Sequence, residues 1–185
     1  MHYCIAVITK TFPTDSLLNI IMNPYNEEDF YEKDEHENLP YPIFMWDWWQ
    51  IGGRYAGEIK LKINKDDSEY KWGFYVKEPR AGRLFRSFLL EKMQKANIKF
   101  YSEEDYFTSM GYRDGFLYID GAKIKDIQNI EELNCFSFID KNGNAFTRSY
   151  YNRGEFIKNS NFDEQFQNAL KDSQDCYITF LDIHD

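Results

Sequence analysis

Two apolar runs, far apart along the chain, have the composition of buried β-strands. Tyr3–Thr9 reads YCIAVIT and Tyr177–Ile183 reads YITFLDI, and both are short and rich in β-branched residues. Glu58–Ile63 alternates polar and apolar residues as EIKLKI, which is typical of a half-buried strand. After a polar turn, Tyr70–Lys77 is predicted to return as the partner of that strand.

Three other segments carry their apolar residues at helical spacing. Thr14 or Asp15 is predicted to cap a helix that runs through Leu17–Met22. The longest pattern covers Leu84–Asn97, and a third covers Phe162–Leu170. In each segment one face is apolar, so these helices are expected to pack against a sheet.

Two turn signals predict β-hairpins. Asp120-Gly121 and Asn142-Gly143 each separate two strand-like runs, and both dipeptides favour the tight turns of two-residue hairpins. The predicted hairpins cover residues 116–127 and 135–150. Because hairpins dominate, we predict an α+β fold with a mainly antiparallel sheet and two or three helices packed on it. No repeat or Gly/Ser linker divides the chain, so residues 1–185 are predicted to form a single domain.

Charge is unevenly distributed along the sequence. The formal net charge is −9, and residues 26–37 carry seven acidic residues against one lysine. Because like charges at this density repel, residues 26–42 are predicted to form a mobile loop. An acidic protein is a poor general binder of nucleic acid, since phosphate contacts need Lys and Arg. The charge instead suits solubility, or binding to a basic surface on another protein.

The cysteines and the missing motifs limit the chemistry. Cys4, Cys135 and Cys176 show no CxxC spacing, and their number is odd. With no N-terminal apolar leader and no membrane-spanning run, the sequence predicts a reduced, intracellular protein with buried, inert thiols. Phosphate-loop, dinucleotide-binding and serine-triad motifs are absent, and the three histidines lack metal-ligand spacing. We therefore expect no cofactor and no metal centre.

The densest cluster of unusual residues is Trp46–Tyr55, which reads WDWWQIGGRY. It contains three of the four tryptophans, two adjacent glycines, one aspartate and one arginine. Adjacent glycines mark a sharp turn or a close approach of the backbone to another group. This segment is therefore the first candidate for a ligand-binding site.

A nucleotide-like ligand is one interpretation of this segment. Trp48 or Trp49 would stack on a nucleobase, and Arg54 would hold a phosphate or carboxylate in a bidentate fork. Gly52 and Gly53 would let backbone N–H groups approach an anion. The structural alternative is that the indole rings close the end of the hydrophobic core.

A candidate catalytic set combines this segment with the last predicted strand. Asp182 and His184 are two residues apart, so their side chains share a face of the strand. Such a pair orients an imidazole for acid–base chemistry or begins a metal site. With Asp47 and Arg54 they form the catalytic residues of an enzyme interpretation, which no common motif supports. In the structural alternative, Asp47 and Arg54 form an ion pair that closes the loop, and His184 lies in a frayed end.

The two segments together resemble a poorly characterised family of small proteins encoded by bacteriophages and prophages. Its members carry a segment like WDWY-x-IGGRW in the first third and a C-terminal strand like VVDCHI. The matching residues here are Trp46, Asp47, Trp48, Gln50, Ile51, Gly52, Gly53, Arg54, Asp182 and His184. Departures are Trp49 for tyrosine, Tyr55 for tryptophan and Ile183 for cysteine, and the last argues against a cysteine-based role at that strand.

This resemblance implies a phage or prophage origin rather than a reaction. Small phage proteins often counter host defences, and anti-CRISPR inhibitors are among them. We therefore expect a non-enzymatic protein of the bacterial host cytoplasm that inhibits a CRISPR effector or another defence nuclease, and a homodimer stays open. The acidic residues expected to occupy a basic groove on that partner are Glu27, Glu28, Asp29, Glu32, Asp34 and Glu35. The alternative is a nucleotide-binding sponge or a phosphate-ester-processing enzyme that uses the Trp/Gly/Arg segment.

Overall fold

The fold was analysed in a computed structural model of the chain. The structure describes residues 1–31, 43–55, 58–60, 111–113, 116–152 and 155–184. The predicted strand Tyr70–Lys77 and the predicted helix Leu84–Asn97 lie outside these residues.

Two long strands form the centre of the main sheet. β1 (His2–Thr9) and β11 (Tyr177–His184) pair antiparallel over eight residues, with His2 opposite His184. Both strands are buried over most of their length, as their apolar sequences predict. This pairing brings together segments that are almost the whole chain apart.

Four shorter strands complete the sheet. β7 (Ser137–Ile139) runs parallel to β1 on its other side, and β8 (Ala145–Thr147) pairs antiparallel with β7. The free side of β11 carries two strands in succession. β6 (Gly121–Lys123) pairs with its first residues, and β2 (Trp48–Ile51) pairs with its last four.

Two smaller sheets accompany the main one. β5 (Phe116–Ile119) lies between β3 (Ile59–Lys60) and β4 (Gly111–Arg113), antiparallel to both. β9 (Ser149–Asn152) and β10 (Glu155–Lys158) form a two-stranded antiparallel sheet. Only Ile59 and Lys60 of the predicted strand at residues 58–63 belong to β3, and residues 61–63 lie outside the described residues.

In the described part of the chain, two α-helices of eight and ten residues pack on the sheet, and both were predicted. α1 (Asp15–Met22) is capped by Thr14, whose Oγ1 accepts a hydrogen bond from the Leu17 N–H at 3.2 Å. α2 (Phe162–Lys171) carries Asp163 and Glu164 in its first turn, where the helix dipole favours negative charge. Among the described residues, no helix is long and apolar enough to cross a bilayer.

The sheet buries apolar side chains on both faces. One face packs beneath α2 and forms a cluster that includes Cys4, Ala6, Ile8, Phe138, Phe162, Phe166, Leu170, Ile178 and Phe180. The other face packs beneath α1 and contains Ile5, Val7, Leu18, Met22, Ile139, Leu181 and Ile183. Because successive strand residues point to opposite faces, the even-numbered positions of β1 and β11 belong to the α2 face. The predicted α+β class, with helices packed on a mainly antiparallel sheet, is confirmed.

One predicted hairpin is present and the other is not. β7 and β8 pair across the Asn142-Gly143 turn, where Gly143 has a φ of 85°. The predicted hairpin at Asp120-Gly121 is wrong, because β5 and β6 belong to different sheets. Asp120 lies at the junction between them, fully buried, and its carbonyl accepts a hydrogen bond from the Phe180 N–H at 2.8 Å.

The acidic stretch begins as a helix instead of a loop. Residues 27–31 are helical, and the Asn26 side chain accepts a hydrogen bond from the Asp29 N–H at 3.0 Å. An asparagine followed by acidic residues is a favourable helix start, because the cap and the helix dipole both stabilise it. Phe30 is buried and anchors this turn. The remainder of the predicted loop up to residue 42 lies outside the described residues.

Candidate functional site

Polar side chains gather at one end of the main sheet, on the face that α2 covers further along. His2 on β1 lies opposite His184 on β11, and Asp182 is two residues before His184 on the same face. β2 adds Trp48 opposite His184 and Gln50 opposite Asp182. Three neighbouring strands thus contribute to one surface, which we call the histidine site.

The first histidine of the site is held by a buried carboxylate. His2 Nδ1 lies 2.9 Å from Asp182 Oδ1, and the Asp182 side chain is fully buried. The other oxygen, Oδ2, accepts a hydrogen bond from the Arg54 backbone N–H at 2.9 Å. Because a carboxylate accepts and does not donate, His2 Nδ1 carries the proton of this hydrogen bond. Both oxygens of the buried anion are therefore bonded, as burial of a charge requires.

The glycine pair explains how a backbone N–H reaches this carboxylate. Gly52 and Gly53 have φ values of 68° and 53°, in the left-handed region that glycine adopts without strain. A Cβ atom on Gly53 would lie 2.4 Å from Asp182 Oδ2, and one on Gly52 would lie 2.4 Å from Asp120 Oδ2. The sequence predicted that these glycines let the backbone approach an anion. The anions they approach here are two buried carboxylates of the chain itself.

The second histidine is held by a partly exposed carboxylate. His184 Nδ1 lies 2.9 Å from both carboxylate oxygens of Asp47. This hydrogen bond lowers the pKa of Asp47 below its usual value. The Asp47 N–H also donates to the His184 carbonyl at 3.0 Å, so the loop before β2 is fixed to the end of β11.

The two imidazole rings and one indole ring lie together. The centroids of the His2 and His184 rings are 5.0 Å apart, with the planes inclined at 68°. The Trp48 ring is nearly parallel to His184 at 6.1 Å and edge-on to His2 at 5.7 Å. Among the described residues, both histidines form hydrogen bonds through Nδ1, and neither Nε2 atom forms one. The site therefore presents two oriented imidazoles whose Nε2 atoms can exchange protons or bind a ligand.

The predicted catalytic residues lie close together, but Asp47 bonds to His184 and not to Arg54. Asp47, Asp182 and His184 are all in the histidine site. Arg54 contributes its backbone N–H, and its guanidinium forms no ion pair with Asp47. The predicted alternative of an Asp47–Arg54 ion pair is wrong, because Asp47 bonds to His184. His184 is part of β11 and lies within its ladder, rather than in a frayed end.

The tryptophans of the segment have different environments. Trp48 belongs to the histidine site, whereas Trp49 packs against the apolar cluster beneath α1 on the opposite face. Trp46 packs on the same cluster, and its Nε1 donates to the Met22 carbonyl at 2.8 Å. The interpretation of the indoles as part of the core is therefore correct for Trp46 and Trp49. Of the two stacking candidates, Trp48 is the one beside the imidazoles.

His2 is the site residue that the sequence interpretation missed. The predicted first strand began at Tyr3, one residue too late. Extending the alternation of that strand by one position places His2 on the same face as Cys4. The pairing of His2 with His184 depends on strand register, which a single sequence does not provide.

The other predicted functional groups neighbour this site, are buried in the core, or lie outside the described residues. The Glu27 N–H donates to the Trp46 carbonyl at 2.9 Å, and Cys4 on β1 lies opposite Asp182. Glu27, Glu28 and Asp29 are in the helical residues 27–31. The other acidic residues predicted to occupy a basic groove on a partner, Glu32, Asp34 and Glu35, are outside the described residues. The three cysteines are buried, and burial raises the pKa of the Cys4 and Cys135 thiols. In the described part of the chain, no three or more His, Cys, Asp or Glu residues are grouped to hold a metal ion.

Comparison with protein-family models, with curated proteins and with solved structures finds no match to this chain. The resemblance to phage and prophage proteins therefore stays a prediction. The geometry of the histidine site is therefore the basis for the proposed function.

Proposed function

We propose that this protein is a phosphate-ester-processing enzyme that uses His2 and His184 as its general acid and base. One observation carries the proposal: each imidazole has its Nδ1 held by a carboxylate, and the two rings lie 5.0 Å apart. Cleavage of a phosphate ester by this route needs one group that takes a proton from the nucleophile and one that gives a proton to the leaving oxygen. Two oriented imidazoles supply both roles.

The carboxylates act as positioning groups in this mechanism. A carboxylate bonded to Nδ1 fixes the tautomer of the ring, so that Nε2 is the atom that exchanges a proton with the substrate. It also stabilises the imidazolium that forms when Nε2 takes a proton. Asp182 does so from a fully buried position and Asp47 from a partly exposed one. The Gly52-Gly53 turn and the Arg54 N–H hold Asp182 in place.

The surroundings of the imidazoles support a nucleotide-like substrate. The half-buried Trp48 ring beside His184 offers an aromatic face on which a nucleobase would stack. Arg54 is exposed, and its guanidinium forms no ion pair within the described part of the chain, so it is available for a phosphate. The substrate class we propose is therefore a phosphate ester of a nucleoside or short nucleotide.

The test is hydrolysis of a set of nucleoside phosphate mono- and diesters by the purified protein and its variants. His2→Ala and His184→Ala should each lower kcat by about 10²–10⁴-fold, the usual contribution of one general acid or base. His36→Ala is the matched control, because it removes the third histidine of the chain and leaves His2 and His184 in place. It should retain full activity. Circular dichroism melting of each variant checks that it is folded.

Two results would contradict the proposal. One is that the unmodified protein turns over no phosphate ester in the set. The other is that His184→Ala remains folded and fully active, since His184 is then not a proton-transfer group.

Inhibition of a bacterial defence complex stays a separate proposal that rests on the resemblance. The structural support for it is limited to Glu27, Glu28 and Asp29, which present negative charge in the first turn of a helix. None of these three residues is a proton-transfer or positioning group of the histidine site, so separate substitutions test the two proposals.

A further inference from the structure

We propose that His2 and His184 together bind one divalent transition-metal ion, such as Zn²⁺, through their Nε2 atoms. The histidines show no metal-ligand spacing in the sequence, because His2 and His184 are almost the whole chain apart. The antiparallel pairing of β1 with β11 places them directly opposite each other. Cross-strand neighbours on one face are close enough for their side chains to share a ligand.

The hydrogen bonds of the two rings match those of metal-binding histidines. A histidine that binds a metal usually donates its other ring N–H to a carboxylate or carbonyl, which fixes the ring and raises the basicity of the ligand nitrogen. His2 and His184 both have a carboxylate at Nδ1, at 2.9 Å. The carboxylate that orients a metal-binding histidine is thus already present for each ring.

The separation of the rings also fits a shared ion. With a Zn–N bond of about 2.0 Å and a tetrahedral angle at the metal, the centroids of two imidazoles on one ion lie about 5 Å apart. The observed distance between the His2 and His184 centroids is 5.0 Å. The distance between the two rings is therefore compatible with one ion bound to both.

The chemistry of the ligands selects the class of metal. Imidazole nitrogen suits Zn²⁺, Cu²⁺ and Ni²⁺, whereas Mg²⁺ and Ca²⁺ prefer oxygen ligands. Two imidazoles leave the remaining coordination positions to water. The negative charges of Asp47 and Asp182 behind the rings favour a cation at this point.

Metal binding would also regulate the proposed reaction. An ion on both Nε2 atoms removes the two groups that exchange protons with the substrate, so Zn²⁺ should inhibit phosphate-ester hydrolysis. This inhibition rests on the proposed function, whereas the binding itself does not.

The experiment is isothermal titration of Zn²⁺ into the metal-free full chain and its variants. His2→Ala and His184→Ala should each weaken Zn²⁺ binding more than tenfold, because each removes a ligand. Asp47→Asn should weaken Zn²⁺ binding by about 10–100-fold, the usual effect of losing the carboxylate that a metal-binding histidine donates to. His36→Ala is the control and should bind as the unmodified protein does.

A second readout uses the unmodified protein and so does not depend on the folding of a variant. In an NMR titration, Zn²⁺ should shift or broaden the ring resonances of two of the three histidines together, at one equivalent of metal. Resonances that stay in place, or Zn²⁺ affinity that His36→Ala removes and His184→Ala keeps, would overturn the site. Because these readouts measure binding directly, they separate failure of this inference from failure of the proposed enzymatic activity.

Discussion

Gly53 is a single residue of the Trp46–Tyr55 segment that lets the backbone approach the Asp182 carboxylate. Its φ of 53° is in the left-handed region, and a Cβ atom there would lie 2.4 Å from the Asp182 carboxylate. The sequence alone indicated that an adjacent glycine pair marks a close approach. It did not indicate the partner, because Asp182 is more than a hundred residues away along the chain.

Gly53→Ala should therefore destabilise the protein more than the same change at Gly143. Both glycines have positive φ, which costs an alanine about 1–2 kcal/mol. Gly143 has open space around it, whereas Gly53 lies against Asp182, so overpacking should cost Gly53→Ala about 1–3 kcal/mol more. Urea denaturation of the two variants measures the difference. Equal losses in the free energy of unfolding would show that the contact with Asp182 is relieved without cost.

His2 marks the limit of what a single sequence predicts about the site. The sequence correctly predicts that Asp182 and His184 share a face, because residues two apart on a strand do so regardless of the neighbouring strands. His2 joins them through long-range strand register. Register follows from the whole set of buried contacts and not from any local motif.

Strand β2 pairs with the edge of β11 that faces away from β1, and it contributes Trp48 to the histidine site. Within the described part of the sheet it is an edge strand of four residues, so its ladder with β11 is short. The hydrogen bond between Asp47 and His184 holds the loop that leads into it. The stability of this edge is therefore expected to depend on the charge of Asp47.

Acid should weaken this attachment of β2. The pKa of Asp47 is lowered by the hydrogen bond from His184, so the folded state binds the proton less readily than the unfolded state. The stabilisation by Asp47 is thus fully present above its ordinary pKa of 3.8 and is lost as the pH falls through the lower folded-state value. The difference in melting temperature between the unmodified protein and Asp47→Asn should shrink from about pH 5 to about pH 2.

Glu131→Gln provides the control for this pH experiment. Glu131 is exposed in a turn and forms no ion pair among the described residues. Its substitution should shift the melting temperature little at either pH. A constant difference for Asp47→Asn across this range would mean that the His184 contact does not stabilise the fold.

The two Gly-containing turns show how far a turn dipeptide alone predicts a β-hairpin. Asn142-Gly143 forms its hairpin because the flanking strands pair with each other and the Asp140 side chain accepts N–H groups of Asn142 and Asn144 at 2.8 and 2.9 Å. Asp120-Gly121 carries the same kind of signal, but the strand after it pairs with β11 instead. Local turn chemistry is therefore overridden where a buried long strand offers a better partner.

At the scale of the whole molecule, the inhibitor hypothesis expects the negative charge to attract a basic surface on a partner protein. In that hypothesis the acidic residues bind a basic groove on a partner protein. Reversing their charge should therefore lower the affinity of the complex and reduce the dependence of that affinity on salt. The residues to reverse are Glu27, Glu28, Asp29, Glu32, Asp34 and Glu35. A pull-down from lysate of a defence-bearing bacterial host, read by mass spectrometry, first identifies the partner, and titration at low salt then measures its affinity.

A matched variant separates a specific contact from net charge. It reverses an equal number of exposed acidic residues elsewhere, namely Glu131, Glu132, Glu155, Glu164, Asp172 and Asp175. If the first variant binds the captured partner as tightly as the unmodified protein does, the acidic segment is not the contact surface. If both variants lose affinity equally, the effect is one of long-range attraction.

The pairing of β1 with β11 also has a consequence for how the chain folds during synthesis. β1 leaves the ribosome before β11, and β11, which covers one of its edges, follows some 170 residues later. At translation rates of about 5–20 residues per second, β1 waits roughly 10–35 s for that partner. During this interval an apolar strand with an open edge is exposed to chaperones and to other nascent chains. The histidine site, which needs both strands, is completed only when β11 has been synthesised.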